Sequence, residues 1–107
     1  MLEIAIFLGQ ADTTENNSAG YPAGERHAIV VFLRQEKDAS PNFAQAELEM
    51  ASRGWRHIEF SKASHGFPCE NIEKLNSMHP HAGASYEDAL LHGFGAVVFA
   101  DPIENAL

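Results

Sequence analysis

Two short runs of almost uninterrupted apolar residues are the feature that most constrains the fold of this chain. Residues 28–33 read AIVVFL, and residues 94–100 read FGAVVFA. Such runs, rich in Val and aromatic residues, are typical of β-strands that are covered on both faces. We therefore predict that these two strands lie centrally in one sheet, and that the rest of the chain covers it.

Two further segments alternate apolar and polar residues, as half-buried strands do. They are residues 2–8 and residues 55–61. The segment between the first two strands, residues 11–25 (ADTTENNSAGYPAGE), is rich in small and polar residues and in glycine. Composition of this kind favours an exposed, flexible loop.

Helix start and stop signals lie between the strands. The Ser-Pro pair at residues 40–41 provides an N-cap and a first helical residue, and Gly54 provides a C-terminal stop, so a helix is predicted to about Arg53. A short helix is predicted over residues 69–75. Another begins after Ser85, in a capping-box pattern with Asp88, and stops at Gly93.

The predicted order is therefore β-β-α-β-α-α-β. In 107 residues this order indicates a single α+β domain spanning residues 1–107. We expect a two-layer sandwich in which two to three helices pack on one mixed sheet of about four strands.

Charge narrows the classes of partner. The 15 acidic and 7 basic residues give a formal charge of -8. Residues 1–53 hold 8 acidic and 4 basic residues and the remainder 7 and 3, so the charge has no acidic tail behind it. A surface of this sign disfavours nucleic acid and anionic lipid and favours a basic protein partner.

The sequence lacks both targeting segments and common catalytic motifs, and these absences guide the predictions of compartment and of catalysis. It has no apolar run near the ~18 residues of a membrane span, no basic leader of a signal peptide, and a single cysteine, so we expect a cytoplasmic protein. It also lacks the G-x-S-x-G, P-loop and H-E-x-x-H motifs. We therefore expect a protein that is not an enzyme and uses no cofactor.

One cluster of possible metal ligands provides an alternative. It consists of His65, Cys69, His79 and His81. Zinc accepts imidazole and thiolate ligands, but this spacing matches no standard zinc finger. The alternative function is therefore a small zinc-binding domain, with no metal site assigned in the preferred interpretation.

The third strand offers a candidate recognition surface. Period two places Trp55, His57 and Glu59 on one face, opposite Ile58 and Phe60. An aromatic ring, an imidazole and a carboxylate in one row indicate partner binding, and an ordinary solvated sheet face is the alternative. An enzyme that uses His57 and Glu59 would also need a pocket beside this strand. If the apolar strands are exposed there, a partner protein or a second copy covers that face.

In size, acidity and lack of catalytic motifs, the chain resembles small bacterial or phage-encoded proteins that act by occupying another protein, such as immunity proteins and inhibitors of host defence. The resemblance extends to no particular stretch of sequence, so no residue roles follow from it. It agrees with the preferred hypothesis of a small acidic protein-binding module that blocks a basic partner.

Overall fold

Four antiparallel strands and two helices make up the described part of the chain. The computed structural model describes residues 2–36, 39–64 and 82–103. The strands are β1 (Leu2–Thr13), β2 (Arg26–Glu36), β3 (Trp55–Ser64) and β4 (Phe94–Val98), and the helices are α1 (Phe43–Ala51) and α2 (Ala82–His92). The helix predicted over residues 69–75 lies outside the described residues.

The sheet has the strand order β3-β1-β2-β4, and all three neighbouring pairs are antiparallel. The expectation of a mixed sheet was therefore wrong. The reason lies in the topology. Strands β2 and β3 do run in the same direction, as strands joined through a helix commonly do, but β1 lies between them, so each hydrogen-bonded neighbour is antiparallel.

Central position was predicted correctly for β2 and wrongly for β4, which is an edge strand. A continuous apolar run indicates that both faces of a strand are covered, and both faces of β4 are covered in the structure. Val97 packs in one core, and Phe94, Ala96 and Val98 pack against the other. The run carries no information about whether a neighbouring strand lies on each side.

Each face of the sheet carries one helix. Tyr86 and Ala89 of α2 pack on one face, and Ala46 and Met50 of α1 pack on the other. The α+β sandwich is confirmed, although the helices were expected together on one face in two layers. Strand β1 explains the difference, because its alternating residues are apolar on both sides: Ile4 and Ile6 face α2, whereas Ala5, Phe7 and Ala11 face α1.

Helix ends differ from the sequence signals by a few residues. Asn42, and not Ser40, caps α1, because its side chain accepts a hydrogen bond from the Gln45 amide at 3.1 Å. Helix α2 begins at Ala82, so Ser85 lies within it. The stop at Gly93 is confirmed: its φ is +94° and its amide donates to the Ala89 carbonyl at 2.9 Å.

The loop between β1 and β2 is shorter than predicted, because β1 continues to Thr13. Residues 14–25 fold back on the end of α1: the Ser18 amide donates to the Arg53 carbonyl at 2.8 Å, and the Thr14 amide donates to the Gly54 carbonyl at 3.1 Å. Gly54 allows this approach, since its φ is +87° and a Cβ there would collide with the Asn16 backbone. The flexibility of the loop stays a prediction.

Candidate functional site along the edge strand β4

The predicted row on β3 does not lie on one face. Trp55 is 2% exposed and belongs to the core beneath α1, together with Ile58 and Phe60. A β-bulge separates them: the register with β1 shifts between Gln10 and Asp12, and His57 has a φ of +51°. One extra residue reverses the alternation of side chains, so Trp55 shares the face of Ile58.

His57 and Glu59 remain exposed, and the structure brings them together around Arg26. The Arg26 guanidinium donates to the Asp12 carboxylate at 2.7 Å and lies 3.2 Å from the Glu59 carboxylate. His57 Nδ1 lies 2.8 Å from the other oxygen of Asp12. Arg26 also donates to the Gln10 side chain at 2.6 Å, so the cluster links β2, β1 and β3.

Asp12 is the residue on which this cluster is centred. Partial burial favours its neutral form, but hydrogen bonds and charge from Arg26 and His57 outweigh burial and hold the pKa of the Asp12 carboxyl below its usual value. The carboxylate therefore stays ionised and bridges two strands. We interpret the cluster as a polar clamp on the bulge.

A cavity lies at the opposite edge of the sheet, along β4. Its volume is about 570 Å³, within the usual range for ligand sites. One wall comes from the β1–β2 loop and the end of α1, the other from α2, and β4 lies between them. The lining residues on the first wall are Ser18, Ala19, Tyr21, Met50, Arg53 and Trp55, and those on the second are Asp88 and His92. We call this cavity the edge groove.

Strand β4 presents backbone groups to the edge groove. The Arg34 amide donates to the Gly93 carbonyl, and the Phe99 amide donates to the Ala28 carbonyl, both at 3.0 Å. Alternate residues of an antiparallel strand exchange hydrogen bonds with one neighbour, so the odd-numbered residues of this segment face β2. The N–H and C=O groups that point away from β2 belong to Phe94, Ala96 and Val98.

One of these outward groups already has a partner. The Ser85 hydroxyl donates to the Ala96 carbonyl at 2.9 Å and joins α2 to the strand. Contact between the two elements is close, because a Cβ on Gly95 would collide with the Ser85 carbonyl. Within the described parts of the chain, no backbone bond is seen to the amides of Phe94, Ala96 and Val98 from outside the sheet.

The loop wall of the groove is built on a buried histidine. Tyr21 stacks on the His27 ring with centroids 4.3 Å apart, and Trp55 meets the same ring edge-on at 6.0 Å. His27 is fully buried, with Nδ1 2.7 Å from the Phe99 carbonyl and Nε2 3.0 Å from the Glu25 carboxylate. The aromatic wall is therefore fixed to both β2 and the segment that follows β4.

The charged side chains of the two walls differ in their partners. Arg53 on the loop side is paired with Glu49 at 2.7 Å, and its guanidinium lies 4.2 Å above the Phe94 ring. Asp88 and His92 on α2 are exposed, and no ion pair of Asp88 is seen among the described residues. The α2 wall thus presents an acidic group that Arg53 does not neutralise.

The two edges of the sheet are not equivalent. The β3 edge is interrupted by the bulge at His57 and carries the charged residues Arg56 and Glu59 in exposed positions, features that discourage pairing with another strand. The β4 edge has regular register with β2 from Phe94 to Val98 and lies in a groove. Strand addition therefore fits β4 better than β3.

The metal alternative falls outside the described residues, because His65, Cys69, His79 and His81 all do. Within residues 2–36, 39–64 and 82–103, no group of three or more potential ligands is positioned to hold a metal ion. In the same ranges, no helix is long and apolar enough to cross a membrane. Comparisons with protein-family models, curated proteins and solved structures found no match.

The outward groups of Phe94, Ala96 and Val98 carry no signal in the sequence, although the run FGAVVFA indicates the strand itself. A central strand, as predicted from that run, would have both of its edges paired. Which strands lie at the edges of the described sheet depends on strand order, which no local pattern in the chain encodes.

Proposed function

We propose that this protein is a non-enzymatic binding module that takes an extended segment of a partner protein as an additional strand beside β4. The observation that carries the proposal is the row of outward backbone amides at Phe94, Ala96 and Val98 within a groove of about 570 Å³, in which, among the described residues, the Ala96 carbonyl alone already accepts a hydrogen bond, from Ser85. Backbone pairing of this kind supplies affinity, and pockets for alternate side chains supply specificity.

The surroundings of the strand support this binding mode over a general adhesive edge. At five residues, β4 is short, which limits edge-to-edge pairing with an arbitrary strand. Residues of the β1–β2 loop and of α2 line the groove on the two sides of the strand. The formal charge of -8 would speed association with a basic partner and repel acidic proteins.

The test uses a library of random heptapeptides displayed on phage as the probe. Peptides selected by the intact protein are then titrated into ¹⁵N-labelled protein and followed by NMR. We expect the largest amide shifts at Phe94, Ala96 and Val98. Selected peptides that shift the β3 amides instead, or a selection that yields no binder, would overturn the proposal.

A backbone variant makes the test specific. Ala96→Pro removes an amide that points away from β2, and proline is tolerated on an edge strand at such a position. We expect this variant to retain its thermal unfolding transition and to lose binding of the selected peptides. Peptides methylated on alternate backbone nitrogens provide a second measurement that leaves the protein unchanged. Two such patterns exist, on odd or on even residues, and the pattern that blocks the amides facing β4 should abolish binding.

A second copy of this chain could pair with the same edge strand in place of a partner protein. Sedimentation of the free protein at low micromolar concentration, with hydrogen exchange of the β4 amides, separates the two cases. We expect a monomer with fast exchange at Ala96. A dimer with these amides protected would assign the edge to a second copy and overturn the proposal of a different partner.

A further inference from the structure

The proposed function does not specify which side chains the added strand carries. The two walls of the edge groove differ in charge and polarity, and this difference indicates the side chains that fit each wall. A strand beside β4 projects successive side chains to opposite faces of the sheet. One set points to the α2 wall, and the other points to the wall formed by the loop and α1.

The α2 wall is acidic where it faces the groove. Asp88 and His92 line it one helical turn apart, and both are exposed. Glu87, the neighbouring acidic residue, is also exposed but does not line the groove. A partner side chain on this face therefore meets the Asp88 carboxylate first.

The opposite wall is mainly apolar, and Arg53, the cation among its lining residues, is already paired with Glu49. Met50 and Trp55 form its buried floor, and Tyr21 covers it from the loop. Arg53 lies there too, but its guanidinium is bonded to the carboxylate and carbonyl of Glu49. Ala96 is the β4 residue that points to this face between Phe94 and Val98, and its small side chain leaves space beside it.

We infer that the strand bound by the edge groove is amphipathic, with Lys or Arg on the face toward Asp88 and apolar side chains on the face toward Tyr21, Met50 and Trp55. The inference rests on the proposed function, since it assumes that the groove takes a strand. The net charge of -8 acts in the same direction but cannot produce the alternation, because a diffuse field attracts any cationic peptide.

Three synthetic heptapeptides, each acetylated and amidated, test the inference by isothermal titration or fluorescence anisotropy. The first alternates Lys and Val (KVKVKVK), the second alternates Glu and Val (EVEVEVE), and the third has the composition of the first without alternation (KKVVVKK). We expect the first to bind about tenfold or more tighter than the other two, because it alone offers both faces correctly.

Asp88→Asn and Glu87→Gln form a matched pair of variants, since the two residues are adjacent on α2 and each substitution removes one charge. Asp88→Asn should weaken binding of the first peptide by about two- to fivefold, the range of an exposed ion pair. Glu87→Gln should change it by less. Equal effects of the two variants would indicate attraction by the overall field and would overturn the inference.

The outcomes separate this inference from the function on which it depends. If peptides selected from the random library bind at β4 but KVKVKVK binds no better than KKVVVKK, strand addition stands and the amphipathic pattern is wrong. If Ala96→Pro leaves binding of every peptide unchanged, strand addition itself fails. Tight binding of EVEVEVE would contradict the role given to Asp88 directly.

Discussion

Substitution of Asp12 by Asn removes the charge on which the clamp at the β3 bulge is centred. The carboxylate is 29% exposed and faces the Arg26 guanidinium at 2.7 Å and the His57 ring at 2.8 Å. A buried hydrogen bond to a charged group contributes about 1.5–3 kcal/mol, and exposure reduces this. Because Asn still accepts one of the two bonds, we expect a loss of about 1–2 kcal/mol in the free energy of unfolding near neutral pH.

The loss should depend on pH with a definite sign. The folded-state pKa of Asp12 lies below the ordinary value of 3.8, so its ionised form is favoured by folding. The stabilisation is complete above the unfolded-state pKa and disappears as the pH falls through the folded-state pKa. The difference in unfolding free energy between the two proteins should therefore be larger near neutral pH than in acid, and it should shrink as the pH falls through the folded-state pKa of Asp12.

Urea unfolding followed by circular dichroism at several pH values measures both quantities. Glu47→Gln provides the control, because Glu47 is exposed and lies on α1, the helix that packs on the face of Ala11 and not on that of Asp12. We expect the control to change stability by no more than about 0.5 kcal/mol at any pH. A loss for Asp12→Asn that persists undiminished at low pH, or a control with an equal effect, would refute the assignment of this stabilisation to the ionised carboxylate.

Three further predictions test the fold around the groove. Gly95→Ala should destabilise the protein by about 1–3 kcal/mol in urea unfolding, because the new Cβ forces α2 away from β4, and an unchanged midpoint would refute that contact. Trp55 is buried, so its fluorescence, the only tryptophan emission of the chain, should be blue-shifted and resist quenching by acrylamide. Red-shifted, readily quenched emission would show that Trp55 is exposed and would contradict its place in the core. The Tyr21 amide should exchange slowly through its 3.0 Å bond to the Asn17 side chain, and Asn17→Ala should abolish that protection; fast exchange in both proteins would support a flexible loop.

Local patterns predicted the elements well where the physical cause is local. Alternation and β-branched runs located the four strands that the structure describes, and Gly93 marked the end of α2 because a positive φ there favours glycine. Capping was less accurate: Ser40 and Ser85 had the right chemistry, but Asn42 made the cap, and Ser85 was engaged by β4. A serine side chain that could accept a hydrogen bond as a helix cap can equally donate one to a carbonyl elsewhere, and the sequence does not indicate which bond forms.

The prediction that Trp55, His57 and Glu59 share one face of β3 was wrong for one identifiable reason, and their role in partner binding stays a prediction. Period two placed Trp55 with His57 and Glu59, and a single bulge residue reversed that parity. No residue at the bulge signals it, since the positive φ falls on His57 and not on a glycine. The partners that stabilise this conformation, Asp12 and Arg26, come from other strands.

The sequence by itself determined that this chain builds one α+β domain with acidic character, because strand and helix signals and net charge are properties of local composition and summed charge. Tertiary structure alone decided that β1 lies in the sheet centre, that the helices cover opposite faces, and that β4 is an edge strand of the sheet formed by the described residues. Strand order follows from which apolar faces bury one another most completely, a comparison between distant segments. The edge groove forms only when folding brings the β1–β2 loop, α2 and β4 together.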